Sequence, residues 1–143
     1  MDRPVFRNPD KFQVLPLREY MRITLPSGPS GCVVEDLDVL VRHYGTNYGL
    51  DATGRFMLIE QKFPGSFIGS AQIRTFGLIH DTLRKGDPNR ERYVGYYVLN
   101  IAFDDFGNPM FPVTVNRSHV LDEDKFGQWL NGALVLPSMF DTK

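Results

Sequence analysis

Cysteine is nearly absent from this chain, because Cys32 is the only one among its 143 residues. A single cysteine cannot form an intrachain disulfide, and it has no partner cysteine for a zinc site. Neither disulfides nor a cysteine-based metal cluster are therefore expected to stabilise the fold. This cysteine usage is typical of a protein of the reducing cytoplasm, and we expect a cytoplasmic location.

Long apolar runs and an excess of charge of one sign are also lacking. No apolar run approaches the roughly 20 residues that span a bilayer, and the start, Met1-Asp2-Arg3-Pro4, lacks the charged-then-apolar pattern of a signal peptide. We therefore expect no membrane partner. Sixteen Lys and Arg against 17 Asp and Glu give a net charge of -1, so the strong global basicity of many nucleic-acid binders is missing.

What the sequence does contain is material for one globular core. Apolar residues make up 42% of the chain, aromatic residues 13% and charged residues 23%, which is typical of a folded domain. We predict a single domain over residues 1–143, in which residues 1–14 form an irregular arm because they carry two prolines and no clear period.

Hydrophobic periodicity and breaker residues predict seven elements after this arm. Leu17, Met21 and Leu25 have helical spacing and favour a first helix, although residues 21–25 could equally form a short strand. The later elements are strands over Val33–Tyr44, Arg55–Phe63, Tyr93–Phe103 and Met110–Val115, and helices over Ser70–Lys85 and Asp122–Asn131. This order predicts an α/β fold, with a small mixed β-sheet flanked by helices.

Carboxylates lie inside the first two predicted strands, which form a hairpin. If the chain turns near Gly49, Asp38 lies opposite Glu60 and Asp36 lies opposite Lys62. Side chains alternate along a strand, so these four residues share one face. The other face is apolar and suited to a core: Leu37, Val39, Val41, Met57 and Ile59.

Paired acids across a strand pair predict a metal site. Two opposed carboxylates repel each other unless a cation lies between them. Oxygen ligands favour Mg²⁺ or Mn²⁺ over zinc. Lys62 adds a positive charge that can orient a water or stabilise developing negative charge. Together these groups suit the hydrolysis of a phosphodiester.

The segment Leu37-Asp38-Val39-Leu40-Val41 followed by Glu60-Gln61-Lys62 resembles the PD-(D/E)xK nuclease superfamily. The resemblance implies a restriction-endonuclease-like core, which consists of a helix, a three-stranded meander, a helix and a further strand, over about residues 15–103. It also implies that Asp38, Glu60 and the backbone carbonyl of Gln61 bind the metal. Lys62 would assist the attacking water.

The resemblance extends to further residues. Several branches of this superfamily have a glutamine on the helix after the Glu-x-Lys strand, and Gln72 occupies that place. Some have a glutamate on the first helix, for which Glu19 is the candidate. No proline precedes the aspartate, and Asp36 is an alternative ligand to Asp38.

Partners follow from the same resemblance, which implies a Mg²⁺- or Mn²⁺-dependent nuclease acting on DNA, of the kind found in phages and mobile elements. Arg42 and Arg74 belong to a set of basic residues near the hairpin that could form a local positive groove for DNA. The alternative is a non-catalytic module that binds nucleic acid or protein on the same scaffold.

A homodimer is a further hypothesis, because one active site cuts one strand at a time and duplex cleavage favours two sites related by a twofold axis. Four apolar residues could supply the dimer face or could simply close the core of the monomer: Tyr96, Tyr97, Phe126 and Trp129.

The three histidines are scattered singly, so we interpret them as structural or surface residues rather than zinc ligands.

Overall fold

The structure is a computed structural model that describes residues 37–141 and, before them, Tyr20, Ile23 and Thr24, which are helical and exposed. Contacts divide the chain into two compact units, Met1–Val34 and Glu35–Lys143. The fold below is that of the second unit. The predicted arm over residues 1–14, the candidates Glu19 and Asp36, and most of the first predicted helix lie outside the described residues.

A five-stranded mixed sheet forms the centre of this unit, with its strands in the order of the sequence. The strands are β1 (Val39–His43), β2 (Arg55–Lys62), β3 (Tyr93–Phe103), β4 (Pro109–Val115) and β5 (His119–Leu121). Helix α1 (Ser70–Gly86) connects β2 to β3, and helix α2 (Glu123–Leu130) follows β5. Strands β2 and β3 are parallel and the other neighbours are antiparallel. The predicted small mixed α/β fold is therefore confirmed, whereas a restriction-endonuclease-like core stays a prediction.

Local sequence signals explain the element boundaries. Strand β3 has the predicted bounds, and α1 extends one residue beyond its prediction, to Gly86. Strand β1 begins only at Val39, so the prediction of a strand is wrong for Leu37 and Asp38, which precede it. Helix α2 begins after Asp122, whose side chain accepts a hydrogen bond from the backbone N–H of Lys125 and so caps the helix. The three-residue strand β5 was not predicted, because so short a segment has no period of its own and depends on pairing with β4.

The sheet has an apolar core on each face. Side chains of β2 alternate between them: Met57 and Ile59 pack with Trp129 of α2, and Leu58 packs with Phe76 of α1. The prediction of the core face is right for Met57 and Ile59, which are buried, and for Val41, which packs against their cluster. It is wrong for Leu37 and Val39, which are 43% and 38% exposed. Strand β1 ends the sheet order, so a neighbouring strand covers it on one side only.

The aromatic residues that could have formed a dimer face belong to the core of the chain instead. Tyr96, Tyr97 and Trp129 are buried, and Phe126 packs half-buried against the Trp129 cluster. The dimer face predicted on these residues is therefore wrong, because Tyr96 packs in the core on the α1 face and the other three pack in the core on the α2 face. Dimerisation through another surface stays a prediction.

The C-terminal residues of this unit pack against the core on the α1 face of the sheet. The backbone N–H of Met139 donates to the Tyr96 carbonyl, and the Ser138 hydroxyl bonds to both the N–H and the carbonyl of Tyr96. His80 is buried and bridges the Tyr93 hydroxyl and the Asp141 carboxylate, which confirms a structural role.

Within the described part of the chain, no helix is long and apolar enough to cross a bilayer.

Candidate active site

The hairpin has the register that the sequence predicts. Val39 lies opposite Ile59 and Val41 lies opposite Met57. Continued by one residue, the same register sets Asp38 opposite Glu60 on the face that α1 covers. The predicted partner of Lys62, Asp36, lies outside the described residues.

Glu60 is a buried carboxylate, with only 4% of its surface exposed. Its Oε1 atom lies 3.8 Å from Nζ of Lys62 and 3.5 Å from Nε2 of Gln72, which donates to it. Its Oε2 atom is buried and accepts no hydrogen bond from the described residues, although the Glu60 and Asp38 carboxyl groups are close enough to share a proton in a hydrogen bond. A buried oxygen of this kind is costly unless something else binds it.

Burial and charge together make Glu60 a weaker acid than usual. Burial raises its pKa to about 7, and the nearby carboxylate of Asp38 acts in the same direction. The ammonium group of Lys62 and the hydrogen bond from Gln72 oppose this shift. A cation bound beside the two carboxylates would favour their ionised forms.

Asp38 is exposed and is held by the backbone of the neighbouring strand. Its Oδ2 atom accepts a 2.9 Å hydrogen bond from the backbone N–H of Gln61. The side chain of Gln61 is exposed and by strand alternation points to the opposite face from Glu60. The structure thus brings Gln61 to the site through its backbone, and its carbonyl as a metal ligand stays a prediction.

Gln72 joins the site from the first turn of α1. Its Oε1 atom accepts from the backbone N–H of Gly69, which precedes the helix, so the side chain supplies the N3 half of a capping box. The same amide group donates to Glu60 through Nε2. The start of α1 thereby fixes both the helix end and the position of Gln72 beside the acid, as the resemblance implied.

Asn100 is a positioning residue that the sequence analysis missed. It is buried in β3 and lies opposite Lys62 in the sheet register. Its Nδ2 atom donates to the backbone carbonyls of Phe63 at 2.8 Å and Ser66 at 2.6 Å, and so holds the loop that connects β2 to α1. The sequence feature that could have identified Asn100 is its position as the single amide side chain in an otherwise apolar strand.

The two predicted DNA-binding arginines are exposed and lie apart from each other. Arg42 lies four residues along β1 from Asp38, with its guanidinium 4.6 Å from the ring centre of Tyr44. Arg74 is exposed on α1, two residues after Gln72. Arg117, which the sequence analysis did not select, lies 3.8 Å from the ring centre of Phe67 in the loop before α1. Arg42, Arg74 and Arg117 are thus exposed cations, and Lys62 is the cation that lies against Glu60.

The side chains present fit an oxygen-ligand cation and not a zinc centre. Across residues 37–141, no group of three His, Cys, Asp or Glu side chains could hold a metal ion. Mg²⁺ commonly takes one or two carboxylates and keeps several waters, so Asp38 and Glu60 suffice for it. The Oε2 atom of Glu60, which accepts no hydrogen bond from the described residues, is the atom that such an ion would satisfy.

Comparison with family models, with curated proteins and with solved structures finds no match to this chain. The functional argument therefore rests on the side chains of the site itself.

Proposed function

We propose that this protein is a Mg²⁺- or Mn²⁺-dependent nuclease that hydrolyses phosphodiester bonds of DNA. The observation that carries the proposal is the buried carboxylate of Glu60, which accepts no hydrogen bond at one oxygen and lies beside a second carboxylate and a lysine. Buried groups with a raised pKa and a specific charged partner are typical of functional sites. As structural groups alone they would weaken the fold.

In this proposal Asp38, Glu60 and the carbonyl of Gln61 hold the cation. When bound, the cation supplies a Lewis acid for the phosphate and lowers the pKa of a bound water. The hydrogen bond from the Gln61 N–H keeps Asp38 at the end of the hairpin. Asp38 can therefore stay beside Glu60 even before a cation offsets their repulsion.

Lys62 and Gln72 have separate roles. Lys62 is partly buried, and its ammonium group lies on the same side of Glu60 as the Gln72 amide, close to Oε1. It positions the attacking water and offsets the negative charge that develops on the phosphate. Gln72 orients the Glu60 carboxylate and leaves Oε2 available for the cation.

DNA would approach over the exposed side of this cluster. Arg74 follows Gln72 on the exposed surface of α1, and Arg42 extends the same face of the hairpin. Guanidinium groups bind phosphates without reading base sequence. Because the net charge is -1, attraction to DNA would be local and strongly dependent on salt.

A cleavage assay with matched variants tests the proposal. Linear, nicked, single-stranded and branched DNA are incubated with Mg²⁺ or Mn²⁺ and with EDTA. We expect metal-dependent cleavage that falls by about 100-fold or more in Glu60→Gln, Asp38→Asn and Lys62→Met. Glu91→Gln, an exposed acid away from the cluster, should cleave normally. Equal cleavage by Glu60→Gln and the unmodified chain would contradict the mechanism.

A non-catalytic binding module is the second candidate, because no group of three His, Cys, Asp or Glu side chains among the described residues could hold a metal ion and the chain has no excess of positive charge. Calorimetric titration with Mn²⁺ separates the two candidates. The nuclease binds Mn²⁺ through Asp38 and Glu60, and binding is lost in Glu60→Gln. DNA binding that persists without measurable Mn²⁺ binding would favour the module.

A further inference from the structure

A cavity of about 200 Å³ lies at the other end of the sheet from Glu60. It is bordered by the end of β1, the starts of β2 and β3, and the residues after α2. Its apolar wall includes Met57, Tyr97 and Trp129, which belong to the core on the α2 face. The cavity is thus separated from the candidate active site by the thickness and the length of the sheet.

The wall of this cavity contains a buried donor that lacks a partner. Trp129 is 2% exposed, and its indole Nε1–H has no hydrogen-bond partner among the residues that the structure describes. The Tyr97 ring lies edge-on to Trp129, but its hydroxyl donates to the Leu136 carbonyl and accepts nothing from the indole. A buried N–H without an acceptor is costly, so a ligand with an acceptor atom in a flat ring would satisfy it.

Aromatic faces at the mouth of the cavity suit such a ring. His43 and Tyr48 both line the cavity, and their ring centres lie 4.6 Å apart. Burial and the charge of Arg55 lower the pKa of His43, so its ring is neutral at pH 7. Flat aromatic ligands stack on rings of this kind.

The rim carries a positive charge that is offset only in part. Arg55 and Arg90 line the cavity together with one acid, Asp141. The Asp141 carboxylate accepts from Arg84 at 2.7 Å and bonds to His80 at 2.9 Å, and its Oδ2 atom forms a longer ion pair with Arg90 at 3.6 Å. Asp141 is thus shared between two arginines, and among the described residues no acid forms an ion pair with Arg55. The rim therefore attracts an anion, and guanidinium groups are well suited to phosphate.

We propose that this cavity binds a mononucleotide unit, with its base against the aromatic wall and its phosphate at Arg55 and Arg90. The volume is below the roughly 300–1,000 Å³ of pockets for drug-sized ligands, so it suits a base with its phosphate at the rim. The unit is either a free nucleotide or the phosphorylated 5′ end of a strand, since both present the same chemistry. This inference does not depend on the proposed nuclease function.

Trp129 is the only tryptophan of the chain, and it provides the readout. A ¹⁵N-labelled full-length chain gives a single indole N–H signal, which is followed in EDTA during titration with AMP, adenosine, inorganic phosphate and a 5′-phosphorylated oligonucleotide. We expect a saturable shift with AMP, and binding about tenfold or more weaker for adenosine and for phosphate. If only the oligonucleotide gives the saturable shift, the site is a strand-end site with the same chemistry.

Variants keep the test specific. Arg55→Gln and, independently, Arg90→Gln should weaken binding by about tenfold or more, with thermal unfolding confirming that each variant folds. Lys125→Gln, on the same helix as Trp129 but outside the cavity lining, should bind as the unmodified chain does. The proposal is overturned if no nucleotide shifts the indole signal at millimolar concentration, or if folded Arg55→Gln and Arg90→Gln bind AMP as tightly as the unmodified chain.

Discussion

The backbone N–H of Gln61 donates a 2.9 Å hydrogen bond to Oδ2 of Asp38. This bond joins the residue before β1 to the strand that carries Glu60, and it fixes an exposed acid next to a buried one. Without it, Asp38 would be free to turn into solvent and reduce its repulsion of Glu60. The backbone thus holds the two carboxylates in the arrangement on which the proposed cation site depends.

Glu60→Gln should stabilise the metal-free protein at alkaline pH. The folded-state pKa of Glu60 is raised to about 7, so folding favours the protonated acid. Stability is therefore lost as the pH rises from about 4.5 towards 7. Urea unfolding in EDTA should show Glu60→Gln more stable than the unmodified chain by on the order of 2 kcal/mol at pH 8, with little difference at pH 4.5. A gain that is equal at both values would contradict this account, and Glu91→Gln is the control.

Metal affinity should rise with pH over the range in which Glu60 loses its proton. Because burial holds the pKa of Glu60 near 7, a cation must displace a proton below that pH. We expect the apparent affinity for Mn²⁺ to fall by up to about tenfold per pH unit between pH 7 and pH 5. Calorimetry at several pH values measures it, and proton release upon binding should appear as a dependence on buffer ionisation enthalpy. A pH-independent affinity would exclude Glu60 as a ligand.

Asn100→Ala should loosen the loop between β2 and α1. It removes the donor to the carbonyls of Phe63 and Ser66 and leaves them without their side-chain partner, at a cost on the order of 2 kcal/mol. Cleavage should fall as well, because the loop leads to Gln72. Chemical unfolding and the nuclease assay measure the two effects. Asn108→Ala, at an exposed turn position, should change neither.

Gly54→Ala should destabilise the hairpin strongly. Gly54 has a φ of +74°, and an added Cβ would lie 1.9 Å from the His43 carbonyl oxygen. The backbone of β1 would have to move, at a cost above about 3 kcal/mol. Gly49 also has a positive φ, +66°, but has open space around it, so Gly49→Ala should cost only about 1 kcal/mol. Thermal unfolding of both variants measures the two losses of stability. Equal losses in Gly54→Ala and Gly49→Ala would contradict this prediction.

The sequence by itself determined the local structure of the described part of the chain. Alternating apolar residues, Gly-rich turns and helix caps predicted β2, α1 and β3 almost to the residue. The loop around Gly49 predicted the hairpin register that is observed. These features depend on residues close in the chain, so their signal is present in the sequence.

The tertiary structure alone decided which of these residues are buried. The alternation of side chains along β2 predicted that Glu60 and Ile59 lie on opposite faces of the sheet, but it did not show that α1 covers Glu60. Val39 has the pattern of a core residue, yet it is exposed at the edge of the sheet. The unpartnered indole of Trp129 and the loop contact of Asn100 are likewise invisible in local patterns. Burial depends on segments distant in sequence, and burial is the main reason why the pKa of Glu60 is raised to about 7.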